Sequence, residues 1–176
     1  MRFNPTPLAG AFVIEADRVE DERGFFARTF CEREFTERGL NAGVAQANVS
    51  YNARRGTLRG MHFQTPPHAE TKLVRCTMGA IHDVIIDLRP FSSTYLRHFA
   101  VRLDEDNRTM LYIPEGFAHG FLTLEDRTEV AYQMSKAYSP DHGAGVRWDD
   151  PAFGISWPAP IRVILERDRT YPDFRP

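Results

Sequence analysis

The chain has 176 residues, a formal net charge of −2 at pH 7 and 42% apolar residues. This length suits one hydrophobic core, because chains divide into several domains mainly beyond roughly 250 residues, so we expect residues 1–176 to form a single domain. The mixed, nearly balanced charge argues against nucleic-acid and membrane partners. No apolar run reaches the roughly 18 residues of a membrane span, and the amino terminus lacks a signal-peptide pattern, which predicts a cytoplasmic protein.

The first element that the sequence predicts is a helix in CEREFTERGL, residues 31–40. Phe30 and Phe35 can share one side of this helix, and Gly39 stands where a left-handed C-terminal cap belongs. This is the one convincing helical segment that the sequence offers.

Short apolar runs dominate the middle of the chain and predict β-strands. Each run is about 5 to 8 residues long and rich in β-branched or aromatic residues, and Met78-Gly79-Ala80 predicts a turn between the first two. The runs are KLVRCT, IHDVIIDL, HFAVRL, TMLYI, GFLTL and TEVAYQM. Many strands and one helix favour an all-β closed or sandwiched fold, whose open mouth commonly holds a small-molecule site. The Pro- and aromatic-rich tail from Trp148 is expected to wrap the surface or pack on a partner subunit.

Two of the six histidines stand in glycine-punctuated motifs, His62 in RGMHFQ and His119 in PEGFAHGF. Both motifs resemble the two metal-binding motifs of cupin barrels. However, Gln64 replaces the second histidine of the first motif, and an amide oxygen is a weak ligand for the metals that imidazole sites select. Arg59 and Lys72 flank His62 and would oppose a divalent cation, whereas they favour an anion or developing negative charge. The sequence therefore predicts a site without a metal.

Nearly the whole chain resembles the dTDP-4-dehydrorhamnose 3,5-epimerases, a metal-free branch of the cupins. The resemblance implies a cupin double-stranded β-helix, that is, a jelly-roll barrel, with one or two short helices. It also implies epimerisation at C3 and C5 of a nucleotide-linked 4-keto-6-deoxy sugar, no cofactor, and a homodimer. The motifs that carry it are DERGFF (21–26), QANVSYN (46–52), GTLRGMHFQTPPHAETKLV (56–74), IPEGFAHGF (113–121), EVAYQMSKAYSP (129–140) and WDDP (148–151).

The chemistry of this family explains the residue types at the reacting centre. A C4 ketone acidifies the hydrogens on both adjacent carbons, so a base can remove one, and a proton returned from the opposite face inverts that carbon. By resemblance, His62 is the base, Asp168 orients it, and Tyr132 returns the proton. Lys72 would stabilise the enolate oxygen or pair with a phosphate.

Further substrate contacts follow from the same resemblance. His119 is expected to touch the substrate, with Asp83 as its neighbour if the period-2 alternation of IHDVIID turns that side chain inward. Tyr138 is expected to stack on the base. The remaining predicted contacts to the nucleotide sugar are Arg23, Arg28, Gln46, Asn48, Arg59 and Arg167.

The sequence also departs from the family pattern at the nucleotide-facing rim. Arg28 stands where the family carries Glu, Gly143 where many members carry Glu, and Arg167 where they usually carry Lys. A reversed charge changes the groups that a ligand must present, which leaves GDP-, CDP- or UDP-linked sugars, and inversion of C3 alone, as alternatives. A metal-dependent cupin is disfavoured by Gln64. A non-catalytic sugar-binding cupin would not need a base, its carboxylate and an opposed phenol together.

Overall fold

The computed structural model describes residues 1–175, which fold mainly as short antiparallel strands. Two short α-helices and one 3₁₀ turn (Pro140–His142) accompany the strands. The helices are α1 (Glu32–Thr36) and α2 (Glu166–Arg169). The strands are β1 (Arg2–Pro5), β2 (Phe12–Glu15), β3 (Arg18–Asp21), β4 (Gly24–Ala27), β5 (Gln46–Asn52), β6 (Leu58–Gln64), β7 (Lys72–Met78), β8 (Ala80–Asp87), β9 (His98–Asp104), β10 (Met110–Ile113), β11 (Phe117–Thr123), β12 (Thr128–Met134) and β13 (Gly143–Gly145).

Two large sheets form the body of the fold. One has six strands in the order β1-β2-β10-β7-β12-β5, and the other has five in the order β13-β6-β11-β8-β9. Neighbouring strands within both sheets pair antiparallel, and β3 and β4 form a separate two-stranded hairpin. The all-β prediction with two short helices is therefore confirmed. Among residues 1–175, no helix is long and apolar enough to span a bilayer.

Strand β8 shows how the two faces of the five-stranded sheet are used. Ile81 and Ile85 point into the core between the two sheets, where they join Val74 and Leu111 of the opposite sheet. Val84 and Ile86 point the other way and belong to a second cluster with residues of the carboxy-terminal tail. That tail contributes Phe153, Ile155, Trp157 and Phe174. The tail thus covers the outer face of the five-stranded sheet.

The predicted helix is shorter than expected. Residues 31–40 were expected to be helical, but α1 ends at Thr36, whose hydroxyl donates to the carbonyl of Glu32. The chain then turns through Gly39, which has the predicted left-handed conformation at φ +69°. Phe35 is buried and packs edge-on against Phe3, so the helix is held by aromatic contacts more than by its own length.

A buried carboxylate secures the connection between β8 and β9. Asp87 is fully buried and accepts hydrogen bonds from Arg89 Nε (2.8 Å), Ser92 Oγ (2.5 Å) and Thr94 Oγ1 (2.6 Å). Burial opposes its ionisation, but these hydrogen bonds outweigh burial and lower the pKa of Asp87 to about 2. The ionised carboxylate therefore stabilises the folded state.

We expect Asp87→Asn to lower the free energy of unfolding by about 2 kcal/mol at pH 7. The pKa of Asp87 falls from an ordinary 3.8 to about 2 in the fold, and each pKa unit corresponds to about 1.4 kcal/mol of stabilisation of the ionised form. A carboxyl group whose pKa is lowered in the fold stabilises the folded state fully at pH values above its ordinary pKa. This stabilisation is lost as the pH falls towards 2. Urea unfolding at pH 7 and pH 3 should therefore show a smaller difference between wild type and variant at pH 3. An equal difference at both values would contradict this account, and the exposed Asp106→Asn is the control.

Candidate active site

The RGMH segment of β6, residues 59–62, contains a β-bulge. His119 of β11 lies opposite His62, but Phe121 lies opposite Arg59, so three steps along β6 match two along β11. Strict alternation would send residues 59 and 62 to opposite faces of the sheet, whereas the extra residue brings both to the same cavity. Gly60 sits in the bulge at φ +134°, and a Cβ there would collide with the backbone of Gly120. Only glycine fits this position.

Asp168 locks the bulge and orients His62. Its Oδ1 lies 2.7 Å from His62 Nε2, and its Oδ2 accepts a hydrogen bond from the N–H of Gly60 at 3.3 Å. Arg167 Nε donates to the same carboxylate at 3.3 Å. Burial alone would raise the pKa of Asp168, but the bonds from His62, Gly60 and Arg167 outweigh it and lower the pKa. The ionised carboxylate only accepts, so this hydrogen bond requires a proton on His62 Nε2.

A second imidazole–carboxylate pair lies beside the first. His119 Nε2 donates to Asp83 Oδ1 at 2.7 Å, and Asp83 is fully buried. The alternation of β8 turns Asp83 inward, so the predicted neighbour of His119 is confirmed. Since His119 and His62 are directly opposite each other across the β6–β11 pair, two oriented imidazoles stand side by side on this sheet.

The opposite sheet contributes Tyr132 from β12 and Lys72 from β7. Burial raises the pKa of Tyr132, with the nearby charge of Arg59 acting in the other direction. The phenol therefore holds its proton at neutral pH. Lys72 Nζ lies 3.0 Å from Glu70 Oε1 and donates to the carbonyl of His62 at 3.3 Å. The facing walls thus carry different chemistry: imidazoles paired with carboxylates on one, and a phenol with an ammonium–carboxylate pair on the other.

These side chains line two adjoining chambers of about 360 Å³ each. The His119 chamber is lined by Ser50, Arg59, His119 and Asp168, and the Tyr138 chamber by Gln46, Asn48, Tyr138 and Tyr171. Both chambers share His62, Lys72, Tyr132 and Arg167. A single ligand can therefore touch the reacting groups with one end while its other end lies against Tyr138.

The predicted contacts other than Arg23 and Arg28 meet in these chambers. Arg59 is held by Asn52, whose Oδ1 accepts from Arg59 Nε at 2.8 Å. Gln46 accepts from the N–H of Tyr138 at 2.9 Å and donates to Asn48 Oδ1 at 3.0 Å, so the strand and the Tyr138 loop are tied together. The side chains converge although they come from five strands (β5, β6, β7, β11 and β12), helix α2 and the loop that holds Tyr138.

Arg23 and Arg28 lie outside both chambers. Arg23 is largely exposed and pairs with Asp21 at 2.5 Å, on the hairpin of β3 and β4. Arg28 follows that hairpin and pairs with Glu34 of α1 at 3.2 Å. Because the hairpin pairs only with itself among the described strands, it does not carry these arginines to the cavity of its own chain. Their role as ligand contacts stays a prediction.

Glu70 and Tyr171 are among the cavity residues that the sequence did not predict. Glu70 lies two residues before Lys72, a spacing that places both on one face of an extended segment and could have signalled the pair. Tyr171 gave no such signal. Its ring packs edge-on to His62 with centroids 6.5 Å apart and occupies the space where a Cβ of Gly145 would lie. Burial raises the pKa of Tyr171.

The amide of Gln64 is engaged with backbone. Ser139 N–H donates to Gln64 Oε1 at 2.6 Å, and Gln64 Nε2 donates to the carbonyl of His68 at 2.9 Å. Gln64 therefore ties two loops at the rim instead of presenting a free oxygen. Over residues 1–175, no three His, Cys, Asp or Glu side chains are grouped so that they could hold a metal ion.

Known proteins match this chain along nearly its whole length. The family model described as dTDP-4-dehydrorhamnose 3,5-epimerase matches residues 5–176. The chain belongs to this family. One relative, the dTDP-4-dehydrorhamnose 3,5-epimerase of Methanothermobacter thermautotrophicus, is 45% identical over 99% of this chain and 95% of its own length.

Solved structures agree with the family and confirm the predicted cupin fold. The dTDP-4-dehydrorhamnose 3,5-epimerase of Bacillus anthracis, with TDP and pyrophosphate bound, superposes with a TM-score of 0.94 at 39% identity, covering 98% of this chain and 99% of that one. A 3'-monoepimerase from Streptomyces bikiniensis, in complex with dTDP-quinovose, superposes with a TM-score of 0.88 at 34% identity, covering 96% and 86%. The predicted family and the predicted epimerase class are thus both confirmed.

We expect Gly145→Ala to lower the free energy of unfolding by about 1–3 kcal/mol, because the new methyl group would overlap the ring of Tyr171. In a Tyr171→Ala background the same substitution should have almost no effect, since the ring is gone. Urea unfolding of both single variants and the double variant measures this coupling. Gly143→Ala on the same strand is the control, because a Cβ there meets its neighbours at an ordinary 3.5 Å. Additive effects of the two substitutions would contradict the steric account.

Proposed function

We propose that this chain inverts C3 and C5 of dTDP-4-dehydro-6-deoxyglucose and so forms dTDP-4-dehydro-L-rhamnose. One observation carries the proposal: an oriented imidazole, His62 with Asp168, and a protonated phenol, Tyr132, line one cavity from opposite sheets. Inversion requires a base on one face of a sugar ring and a proton donor on the other. Membership of the epimerase family supports the same reading.

His62 acts as the base in this mechanism. Its Nε2–H is committed to Asp168, so Nδ1 is the atom that accepts the proton from the carbon next to the ketone. The imidazolium that forms is stabilised by the ionised carboxylate of Asp168 only 2.7 Å away. Gly60 and Arg167 hold that carboxylate in place, so little reorganisation accompanies the transfer.

The enolate that follows carries negative charge on the C4 oxygen. Lys72 supplies a cation at the shared wall of the two chambers, and His119, oriented by Asp83, supplies a further polar group on the facing sheet. Fixed donors at a developing oxyanion are among the largest contributions to catalysis, because they need no rearrangement during the reaction. Tyr132 then returns a proton from the opposite face. Its burial keeps the phenol protonated until the strongly basic enolate forms.

The Tyr138 chamber is assigned to the nucleotide end of the substrate. Tyr138 is about half exposed, as suits a ring that stacks on a base, and Gln46 and Asn48 provide amide groups beside it. Arg167 lies between this chamber and the reacting groups and is placed to meet the diphosphate. The charge of Arg28, the reason for suspecting another nucleotide, is paired with Glu34 within the chain. The B. anthracis relative holds TDP, and thymidine is therefore our assignment.

Inversion of C3 alone is the second candidate. The 3'-monoepimerase of S. bikiniensis shares the fold at 34% identity, so the same scaffold hosts that narrower reaction. The two reactions use the same base and acid, and they differ in whether C5 also exchanges its proton. The position of solvent deuterium in the product separates them.

We further propose that the chain forms a homodimer. Apolar side chains of the hairpin and of edge strand β5 stand in the open, with Val19 at 66%, Phe26 at 73%, Val49 at 63% and Tyr51 at 52% exposure. Among residues 1–175, β5 pairs only with β12, so its other edge is not paired with a strand of this chain. An apolar surface beside an unpaired edge favours association with a second copy. Such a contact is also the way in which Arg23 and Arg28 would reach a cavity.

Sedimentation equilibrium should give twice the mass of one chain, and Val49→Lys should weaken the association at least about tenfold, because a charge would be buried in the contact. Phe91→Lys is the matched control, since Phe91 is fully exposed on the other sheet's β8–β9 connection and should leave the mass unchanged. A monomeric wild type, or equal effects of the two substitutions, would contradict the proposed contact.

Incubation with dTDP-4-dehydro-6-deoxyglucose in D2O should place deuterium at both C3 and C5, as followed by NMR. His62→Asn should abolish exchange at both carbons, because no base remains to remove either proton. Tyr132→Phe should lower the yield of inverted product by about 10²-fold or more while exchange through His62 persists. His62→Asn should therefore lose exchange, whereas Tyr132→Phe should keep exchange and lose inversion.

Deuterium at C3 alone in the wild type would establish the narrower reaction. Near-normal exchange by His62→Asn would mean that another group is the base. Thermal unfolding of each variant, compared with wild type, separates loss of the catalytic group from loss of the fold.

A further inference from the structure

Glu70 is a buried carboxylate that the mechanism above does not use. Its side chain is 2% exposed, and its Oε1 lies 3.0 Å from Lys72 Nζ. The backbone beside it is fixed, because Thr71 N–H donates to Ser135 Oγ at 2.8 Å and Ser135 N–H donates to the carbonyl of Thr71 at 3.0 Å. Glu70 also lines the Tyr138 chamber together with Lys72. It is therefore a rigidly held anion inside the site.

The hydrogen-bond inventory of Lys72 gives Glu70 a specific consequence. An ammonium has three N–H donors and no acceptor. Lys72 Nζ forms an ion pair with Glu70 Oε1 at 3.0 Å and donates one hydrogen bond to the carbonyl of His62 at 3.3 Å. These two fixed contacts hold the ammonium in place and restrict the directions in which it can meet a ligand. Both fixing partners belong to the site.

The charge on Glu70 limits what Lys72 can bind. The second oxygen, Oε2, is buried and has no hydrogen-bond partner among the described residues. Lys72 is the cation that lies within ion-pair distance of this carboxylate. A doubly charged diphosphate placed against the pair would be repelled by Glu70 at short range more strongly than a single carbonyl oxygen, which gains negative charge only during the reaction.

We propose that Glu70 is a positioning residue that directs the Lys72 ammonium to the C4 oxygen of the substrate and away from the diphosphate. This inference rests on the proposed epimerase reaction. Of the two roles predicted for Lys72, stabilising the enolate oxygen and pairing with a phosphate, we assign the first. Glu70 acts through Lys72 and has no contact of its own with the reacting carbons.

The test compares Glu70→Ala in two backgrounds, with dTDP-4-dehydro-6-deoxyglucose as substrate. In the wild type, Glu70→Ala should lower kcat about 10²-fold, the size of effect seen when an oxyanion donor is lost, with KM within about threefold. In Lys72→Ala, the same change should alter kcat less than about threefold, because no ammonium remains to be positioned. Glu70→Gln should recover kcat to within about tenfold of wild type, since an amide oxygen still accepts from Nζ.

Glu129→Gln is the matched control. Glu129 lies on β12 and accepts from Thr77 Oγ1 at 2.7 Å, outside both chambers, so its loss should leave kcat and KM unchanged. If Glu70→Ala does not fold, Glu70→Asp carries the test, because a shorter carboxylate keeps the charge but pulls Nζ out of line and should lower kcat at unchanged KM.

An equal fall in kcat in both backgrounds, or a rise in KM at unchanged kcat, would overturn the positioning role, as would an unchanged kcat in Glu70→Asp. These results presuppose an active wild type. A wild type that neither exchanges deuterium nor forms product would instead contradict the epimerase proposal and remove the basis of the Glu70 assignment with it.

Discussion

The bulge at Gly60 is the constraint on which the rest of the site depends. It brings Arg59 and His62 to one face of a strand whose alternation would separate them, and its own N–H is satisfied by Asp168, the carboxylate that also orients His62. One buried carboxylate thus accepts the hydrogen bond of the irregular backbone and also orients the base. The glycine is required because Gly120 of the neighbouring strand leaves no room for a side chain. Backbone geometry and chemistry are therefore inseparable in this strand.

Three buried carboxylates surround the cavity, and each holds a nitrogen-bearing side chain of the site: Asp168 holds His62, Asp83 holds His119 and Glu70 holds Lys72. An unpaired charge in such a place would be strongly destabilising, so each partner is held where its carboxylate is. A charge that appears on the substrate then meets groups that are already oriented, which is the condition for effective electrostatic stabilisation.

The sequence singled out side chains that the structure brings together in adjoining chambers, because these residues sit in motifs and because strand alternation is simple to read. Asp83 was found in this way, from the period of β8. The same reading missed β5 and β6 as strands, since inward-facing Gln46, Asn48 and His62 interrupt the apolar pattern that marks a strand. It missed Tyr171 because the contact with Gly145 joins segments with no shared pattern. Arg23 and Arg28 show the converse: motif membership alone does not place a side chain in the cavity of its own chain.

The bond between His62 and Asp168 spans 106 positions of sequence, and α2, which carries Asp168, is only four residues long. The barrel core lies between the sheets and does not need this helix for its packing. Detachment of the segment that holds Asp168 and Tyr171 is therefore a local opening whose free energy is smaller than that of global unfolding. On heating, the molecule should lose turnover at temperatures where its sheets are still intact, and cooling should restore it. Loss of activity on heating would therefore indicate detachment of the segment that holds Asp168 and Tyr171, and would precede unfolding of the whole domain.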